Sequence, residues 1–168
     1  MIIWFTGISG VGKSLIAKKL FEILKRKTNN VIHIDGDKFR SMLNNDIGYS
    51  LKDRNINASR IINFVKLLNE QKINVIVSAN LTSQKYRIYC KKKFNKYLEI
   101  NINTDLNLLR KRDKKRIYSN RSLKNVVGFG IKNTKNNTAD IKILNNDTKK
   151  KFLKNISSLL KTIEKKLV

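Results

Sequence analysis

The sequence has little of several residue types, and each shortage excludes a class of protein. A single cysteine, Cys90, rules out a framework of internal disulfide bonds. No apolar run approaches the roughly 20 residues that a membrane-spanning helix needs. Residues 1–5 lack the basic region of a secretory signal peptide and lead directly into Thr6-Gly7. We therefore expect a cytoplasmic protein that is neither exported nor inserted in a membrane.

Acidic side chains are also scarce. Only 12 Asp and Glu oppose 37 Lys and Arg, which gives a formal net charge of +25. Such an excess would suit a nucleic-acid-binding protein. However, lysine far outnumbers arginine, and the sequence lacks the alternation of basic and aromatic residues that is typical of RNA-recognition motifs. With abundant Asn and Ile and no proline, the composition fits an AT-rich genome equally well. The charge therefore indicates an anionic partner, and we expect no specific nucleic acid.

The chain is long enough for one domain with a sizeable core. Its 168 residues should bury about 70% of their unfolded surface. Short apolar runs predict strands at residues 2–5, 31–34, 75–77, 97–102 and 141–144. Helical spacing of apolar residues predicts helices at 15–24, 39–43, 58–71, 84–94, 105–112 and 148–166. This alternation predicts one α/β domain, 1–168, with a five-stranded parallel sheet, helices on both faces and a mobile lid at about 119–138.

The eight residues 7–14, GISGVGKS, match the phosphate-binding pattern G-x-x-x-x-G-K-[ST] in full. They lie between a predicted strand and a predicted helix, where glycines let backbone N–H groups converge on phosphate oxygens. Lys13 would stabilise charge on the transferred phosphoryl group and Ser14 would ligate Mg²⁺, so ATP and Mg²⁺ are the expected cofactors. We assign to ATP binding Gly7, Ser9, Gly10, Val11, Gly12, Lys13, Ser14 and Leu15.

A P-loop alone does not separate kinases from other nucleotide-binding proteins. The chain is too short to hold the coupling domains of a motor, and it lacks the Asn-Lys-x-Asp sequence with which GTPases read the base. We therefore favour a small-molecule kinase. A P-loop nucleic-acid-binding protein is the alternative from another class.

Two carboxylates, Asp35 and Asp37, flank Gly36 at the end of the second predicted strand. A kinase must hold Mg²⁺ and orient an acceptor hydroxyl, with one carboxylate placed to accept its proton. We assign Asp37 as the base and Asp35 to the water shell of the metal or to the acceptor. The reverse assignment and a solvent-exposed Asp-Gly turn are the alternatives.

Residues 7–14, followed by residues 34–40 (IDGDKFR), resemble the adenylylsulfate (APS) kinase family, whose members phosphorylate the ribose 3′-hydroxyl of APS. The resemblance implies the P-loop kinase fold and places Arg112 near the donor nucleotide. Further similar stretches are residues 43–50 (LNNDIGYS), Asp53-Arg54 with Asn57, Arg112-Asp113 with Ile117-Tyr118, and residues 128–131 (GFGI).

The same resemblance implies how the acceptor nucleotide would bind. Its base would lie between Tyr49 and Phe129, and Arg40, Arg54 and Asn57 would hold its sugar and phosphate groups. Aromatic faces stack on bases and arginine matches phosphate oxygens in a bidentate manner, which agrees with these roles. The family also implies a homodimer.

The sequence departs from the family pattern around the acceptor. Ser59 replaces an arginine, and residues 82–84 (TSQ) replace Ser-Pro-Tyr. In one register of the lid Val127 takes the place of a lysine. In another register Lys124 is that lysine and Val126 replaces the aromatic clamp. Both registers imply an altered acceptor pocket.

One variant of the family acts on cytidine 5′-diphosphoramidate during the biosynthesis of capsule phosphoramidate. The resemblance, together with the Lys, Asn and Ile bias of the chain, favours this acceptor. APS itself is the alternative.

Overall fold

A computed structural model describes residues 1–113, 118, 124–127, 130–131 and 138–167. Phe129 and most of the predicted lid, 119–138, lie outside the described residues. The strands are β1 (Ile2–Thr6), β2 (Val31–Asp35), β3 (Asn74–Ser78), β4 (Tyr97–Asn103) and β5 (Ile141–Leu144). The helices are α1 (Lys13–Lys25), α2 (Gly36–Met42), α3 (Leu51–Glu70), α4 (Gln84–Lys93), α5 (Leu106–Arg112), α6 (Lys149–Asn155) and α7 (Ser157–Leu167).

The five strands form one parallel sheet in the order β2-β3-β1-β4-β5, which confirms the predicted sheet. All five residues of β1 are buried, as expected of a central parallel strand that is covered on both faces. The register pairs Asp35 at the end of β2 with Ser78 at the end of β3. The carboxyl ends of these strands therefore form one polar edge beside the loop that follows β1.

Alternate residues of β1 face two separate cores. Ile3 and Phe5 pack with apolar residues of α1, α6 and α7. Ile2 and Trp4 pack with apolar residues of α2, α3 and α4. The predicted helices on both faces of the sheet are thus confirmed. Among the described residues, no helix has the length and apolar character required to cross a bilayer.

The single cysteine lies in the second of these cores. Cys90 of α4 is fully buried. Burial, with a smaller contribution from the charge of Glu99, raises the pKa of its thiol to about 12. The thiol is therefore protonated at physiological pH and unreactive in the folded protein.

Helix α3 begins at Leu51, so the predicted start at residue 58 is wrong. Ser50 and Asp53 form a capping box: the Asp53 N–H donates to Ser50 Oγ at 3.2 Å, and the Ser50 N–H donates to Asp53 Oδ2 at 3.0 Å. The first turns are polar and lack apolar periodicity, which hid them from the sequence pattern. Helix α2 likewise begins at Gly36 rather than at residue 39, because Asp35 caps it.

The predicted helix at 148–166 is two helices, α6 and α7, that meet at Ile156. The break is shallow, since the Ile156 N–H still donates to the Phe152 carbonyl at 3.2 Å. Phe152, Ile156, Leu160 and Ile163 all pack into the same core across the break. Apolar spacing alone therefore could not reveal it.

Candidate active site

The P-loop joins β1 to α1, in the strand-loop-helix context that the motif predicts. Gly7, Gly10 and Gly12 have positive φ angles of 132°, 80° and 103°. The first of them needs glycine for a second reason, because a Cβ on Gly7 would overlap the carbonyl oxygen of Ile102. The loop thus runs directly against β4.

Lys13 and Ser14, at the start of α1, connect the P-loop to its surroundings. Lys13 Nζ donates to the carbonyl oxygen of Ile8 at 2.9 Å. The exposed Ser14 donates through Oγ to Asp35 Oδ2. The P-loop and the carboxylate turn are therefore in direct contact in the fold.

Asp35 accepts hydrogen bonds at both of its carboxylate oxygens. Oδ1 accepts from the N–H groups of Asp37 and Lys38 at 3.1 and 3.4 Å. Oδ2 accepts from Ser14 Oγ and, at 2.9 Å, from Ser78 Oγ. Burial alone would raise the pKa of Asp35, but these hydrogen bonds outweigh it and hold the pKa below its ordinary value of 3.8. Asp35 is an ionised cap for α2 with its acceptor positions filled.

His33 extends the hydrogen bonds of Asp35 through Ser78, a contact that sequence reasoning missed. His33 Nε2 lies 2.9 Å from Ser78 Oγ. Because the hydroxyl hydrogen of Ser78 points to Asp35, His33 must donate from Nε2. The only sequence signal for this chain of hydrogen bonds is that His33, Asp35 and Ser78 lie near the ends of buried strands.

We expect the imidazole of His33 to titrate below its ordinary pKa of 6.5. Burial lowers this pKa most, the charge of Asp35 raises it and Lys38 lowers it. Since the folded pKa is lower than the unfolded one, the stability contributed by neutral His33 is lost as the pH falls below 6.5. Proton NMR of the single imidazole measures the midpoint directly.

The Asp35→Asn variant serves as the comparison for this titration. The substitution removes the charge that raises the pKa of His33. The titration midpoint of His33 should therefore be lower in the variant than in the wild type. A wild-type midpoint at or above 6.5 would contradict the expected effect of burial.

The predicted acceptor residues cluster around Tyr49, on the loop between α2 and α3. The Tyr49 side chain is half exposed, and the guanidinium carbons of Arg40 and Arg54 lie 4.6 and 5.6 Å from the centre of its ring. Arg40 is 4% exposed and donates to the carbonyl of Gly48. Arg54 Nε donates to the carbonyl of Tyr49 at 2.9 Å. Both guanidinium groups thus shape the loop, and their contact with a ligand stays a prediction.

Two contacts link this cluster to its neighbours. Arg54 Nη2 donates to the Asn125 carbonyl at 2.8 Å. Burial and Arg40 lower the pKa of Arg54, and the charge of Asp37 raises it, which places that carboxylate within electrostatic reach. Asn57 Nδ2 donates to the Gly36 carbonyl at 3.3 Å. The buried Asn57 Oδ1 has no partner among the described residues.

Arg112, at the end of α5, contacts the loop that follows β5. Its Nη1 donates to the Asn145 carbonyl at 3.0 Å, and Nη2 donates to the Asp147 carbonyl. Arg112 therefore supports the loop after β5, while its contact with the donor nucleotide stays a prediction. In the described part of the lid, Val127 is buried in the core and Lys124 is exposed.

Comparison with known proteins agrees with this geometry. The adenylylsulphate kinase family model matches residues 1–143. A cytidine diphosphoramidate kinase from Campylobacter jejuni is 34% identical over 96% of this chain and 95% of the relative. An adenylyl-sulfate kinase from Buchnera aphidicola of Acyrthosiphon pisum is 34% identical over 95% of this chain and 80% of the relative.

A solved structure extends the match to three dimensions. The APS kinase of Mycobacterium tuberculosis, in complex with AMPPNP and APS, superposes with a TM-score of 0.79 at 25% identity. The superposition covers 95% of this chain and 96% of that one. From the P-loop, the sheet and these matches, we conclude that the chain belongs to the adenylylsulphate kinase family and is an ATP-dependent phosphotransferase.

Proposed function

We propose that the chain phosphorylates the ribose 3′-hydroxyl of a nucleoside 5′-phosphoanhydride, and that this acceptor is cytidine 5′-diphosphoramidate. The observation that carries the choice of acceptor is the match to the Campylobacter jejuni cytidine diphosphoramidate kinase. The alignment extends over 96% of this chain and 95% of the relative.

APS is the second candidate acceptor. The Buchnera relative is as similar in sequence, at 34% identity, and it is an adenylyl-sulfate kinase. Both candidates carry the same ribose hydroxyl and a 5′-phosphoanhydride with a small terminal group. They differ in the base and in that group, so the acceptor pocket decides between them. The homodimer implied by the resemblance stays a prediction.

The P-loop would hold the ATP phosphates. Its backbone N–H groups and the positive end of α1 would face the bound phosphates. Lys13, now hydrogen-bonded to Ile8, would turn toward the β and γ groups. These groups stabilise the negative charge that develops on the transferred phosphoryl group, which is the main source of catalysis in such reactions.

The residues at the edge of the sheet fit a magnesium ion. Ser14 Oγ and the carboxylate of Asp37 offer oxygen ligands, which this ion prefers, and Asp35 would orient Ser14 through the hydrogen bond that it accepts. Within the described residues no group of three or more His, Cys, Asp and Glu could form a protein-only metal site. Mg²⁺ commonly binds through one or two protein oxygens together with water and substrate phosphates. When bound, it would neutralise phosphate charge, with Ser14 as its direct ligand.

The hydrogen bonds of Asp35 favour Asp37 as the base. The four hydrogen bonds that Asp35 accepts occupy the lone pairs of its carboxylate. Asp37 lies one residue beyond Gly36, in the first turn of α2. In the proposed step Asp37 accepts the ribose hydroxyl proton and the ribose oxygen bonds to the γ-phosphorus. The bond from that phosphorus to the bridging oxygen breaks, and ADP leaves.

The cluster around Tyr49 fits an anionic nucleotide. Arg40 and Arg54 supply positive charge beside a half-exposed aromatic ring. The buried and unpartnered Oδ1 of Asn57 is an acceptor beside the carboxylate turn. It can receive a hydrogen bond from a sugar hydroxyl of the acceptor.

A parallel assay tests the proposal. Cytidine 5′-diphosphoramidate and APS are incubated separately with ATP and Mg²⁺, and phosphorus NMR locates the new phosphate on the product. We expect a 3′-phosphate on the cytidine compound at a higher kcat/KM than on APS. The matched control is the Lys13→Ala variant, which reports any contaminating kinase. Preference for APS would favour the second candidate, and phosphorylation of neither acceptor would contradict the proposed function.

A further inference from the structure

We propose that Tyr118 and Asn145 are positioning residues that hold the P-loop in its phosphate-binding conformation. Each donates a hydrogen bond to a P-loop carbonyl from outside the motif. Together they would aim the N–H groups of Gly10 and Gly12 at the phosphates. The inference rests on the proposed function only in taking ATP as the donor, and it is independent of the acceptor.

Tyr118 holds the first of these peptide groups. Its hydroxyl donates to the carbonyl oxygen of Ser9. Its ring also lies beside the loop, since a Cβ on Gly10 would be 3.6 Å from the Tyr118 ring. In a trans peptide the C=O and the following N–H point in opposite directions. Fixing the Ser9 carbonyl toward Tyr118 therefore turns the N–H of Gly10 away from Tyr118.

Asn145 holds the second peptide group in the same way. Its Nδ2 donates to the Val11 carbonyl at 2.8 Å, and the Asn145 side chain is buried. A Cβ on Gly12 would be only 3.0 Å from this nitrogen. The N–H of Gly12 consequently points away from Asn145. The first N–H groups of α1 follow Gly12 directly in the chain.

Asn145 is itself held in place on two sides. Its backbone N–H donates to the Asn103 carbonyl at 2.8 Å, which continues the pairing of β5 with β4. Its carbonyl accepts from Arg112 Nη1 at 3.0 Å. A side chain with these fixed backbone contacts is a rigid support for the P-loop.

External support matters because glycine backbones rotate easily. Gly10 and Gly12 have positive φ angles, and glycine also populates other conformations at little cost. Without the two hydrogen bonds, the adjoining peptide groups could turn their carbonyls toward the phosphates. Lys13 provides a third hydrogen bond, to Ile8, but it must leave that carbonyl to reach ATP. Tyr118 and Asn145 can remain in place when the nucleotide binds.

Two variants remove one hydrogen bond each. Tyr118→Phe deletes the hydroxyl and keeps the ring, and Asn145→Leu deletes the amide donor at similar volume. Each should weaken the binding of a non-hydrolysable ATP analogue about tenfold, as expected for the loss of one hydrogen bond of this kind. The matched controls are Tyr89→Phe and Asn63→Leu, at exposed positions of α4 and α3. They should bind the analogue with wild-type affinity.

NMR of glycine-labelled protein separates positioning from general structural support. In the wild type, the amide resonances of Gly10 and Gly12 should shift when the analogue binds. Tyr118→Phe should reduce the shift of Gly10 alone, and Asn145→Leu that of Gly12 alone. A purely structural role would change both resonances together in each variant. If Asn145→Leu does not fold, Tyr118→Phe still tests the proposal.

Two results would overturn the proposal: wild-type affinity in Tyr118→Phe, or equal loss of both glycine shifts in that variant. Neither result depends on the acceptor. If wild-type protein binds the analogue but phosphorylates neither candidate acceptor, the acceptor assignment fails and the glycine measurements remain valid.

Discussion

Replacing Asp37 by Asn should lower the turnover of phosphoryl transfer by about 10²- to 10⁴-fold, the usual contribution of a positioned general base. The amide keeps the shape of the side chain but cannot take a proton from the ribose hydroxyl. ATP should still bind, because its phosphates are held by the P-loop. The measurements are kcat from ADP release and the Kd for an ATP analogue.

Two variants make the Asp37 result specific. Glu70→Gln neutralises a carboxylate on the last turn of α3 and should leave turnover unchanged. Asp35→Asn removes the acceptor of four hydrogen bonds and should lower the free energy of unfolding. Undiminished turnover in Asp37→Asn, with loss of turnover in a folded Asp35→Asn, would reverse the assignment of the base.

Replacing Gly7 by Ala should reduce the free energy of unfolding by about 3 kcal/mol, a large fraction of the stability of a typical domain. The added Cβ would overlap the carbonyl oxygen of Ile102. That oxygen belongs to the backbone of β4, which is paired on both sides and has little freedom to move. The φ angle of 132° adds further strain for any residue with a side chain. Urea unfolding of both proteins gives the difference.

Gly10→Ala is the matched control for Gly7→Ala. Gly10 also has a positive φ, of 80°, but the nearest atoms to its added Cβ are side-chain carbons at 3.5 and 3.6 Å. This variant should lose only about 1–2 kcal/mol, the cost of the left-handed conformation. Equal losses in the two variants would show that overlap with β4 is unimportant.

The sequence was sufficient to locate the parts of the candidate site that are local in the chain, and their roles stay predictions. The P-loop is eight consecutive residues, and Asp35 and Asp37 directly follow a buried strand. Parallel strands bring their carboxyl ends to one edge, and Ser14 contacts Asp35 there. The presence of the helices was also predictable, although the start of α3 was hidden by its polar first turns.

The supporting contacts could not be predicted, because they join residues far apart in the chain. Tyr118 and Ser9 are separated by 109 positions, and Asn145 and Val11 by 134. Ser78 reaches Asp35 only because the strand register sets them side by side. Periodicity gives the faces of helices and strands, but it does not give register or loop packing. Arg40 and Gly48 are only 8 positions apart, but their contact was missed because periodicity does not give the path of a loop.

The burial of Cys90 makes the protein convenient for fluorescence work. Because the only native sulfhydryl is enclosed in the core, a maleimide dye would react with a cysteine introduced on the surface and not with Cys90. Ile88, on the same helix and 40% exposed, offers one attachment point. Energy transfer between dyes on two introduced surface cysteines could follow conformational changes during turnover without first removing a natural residue.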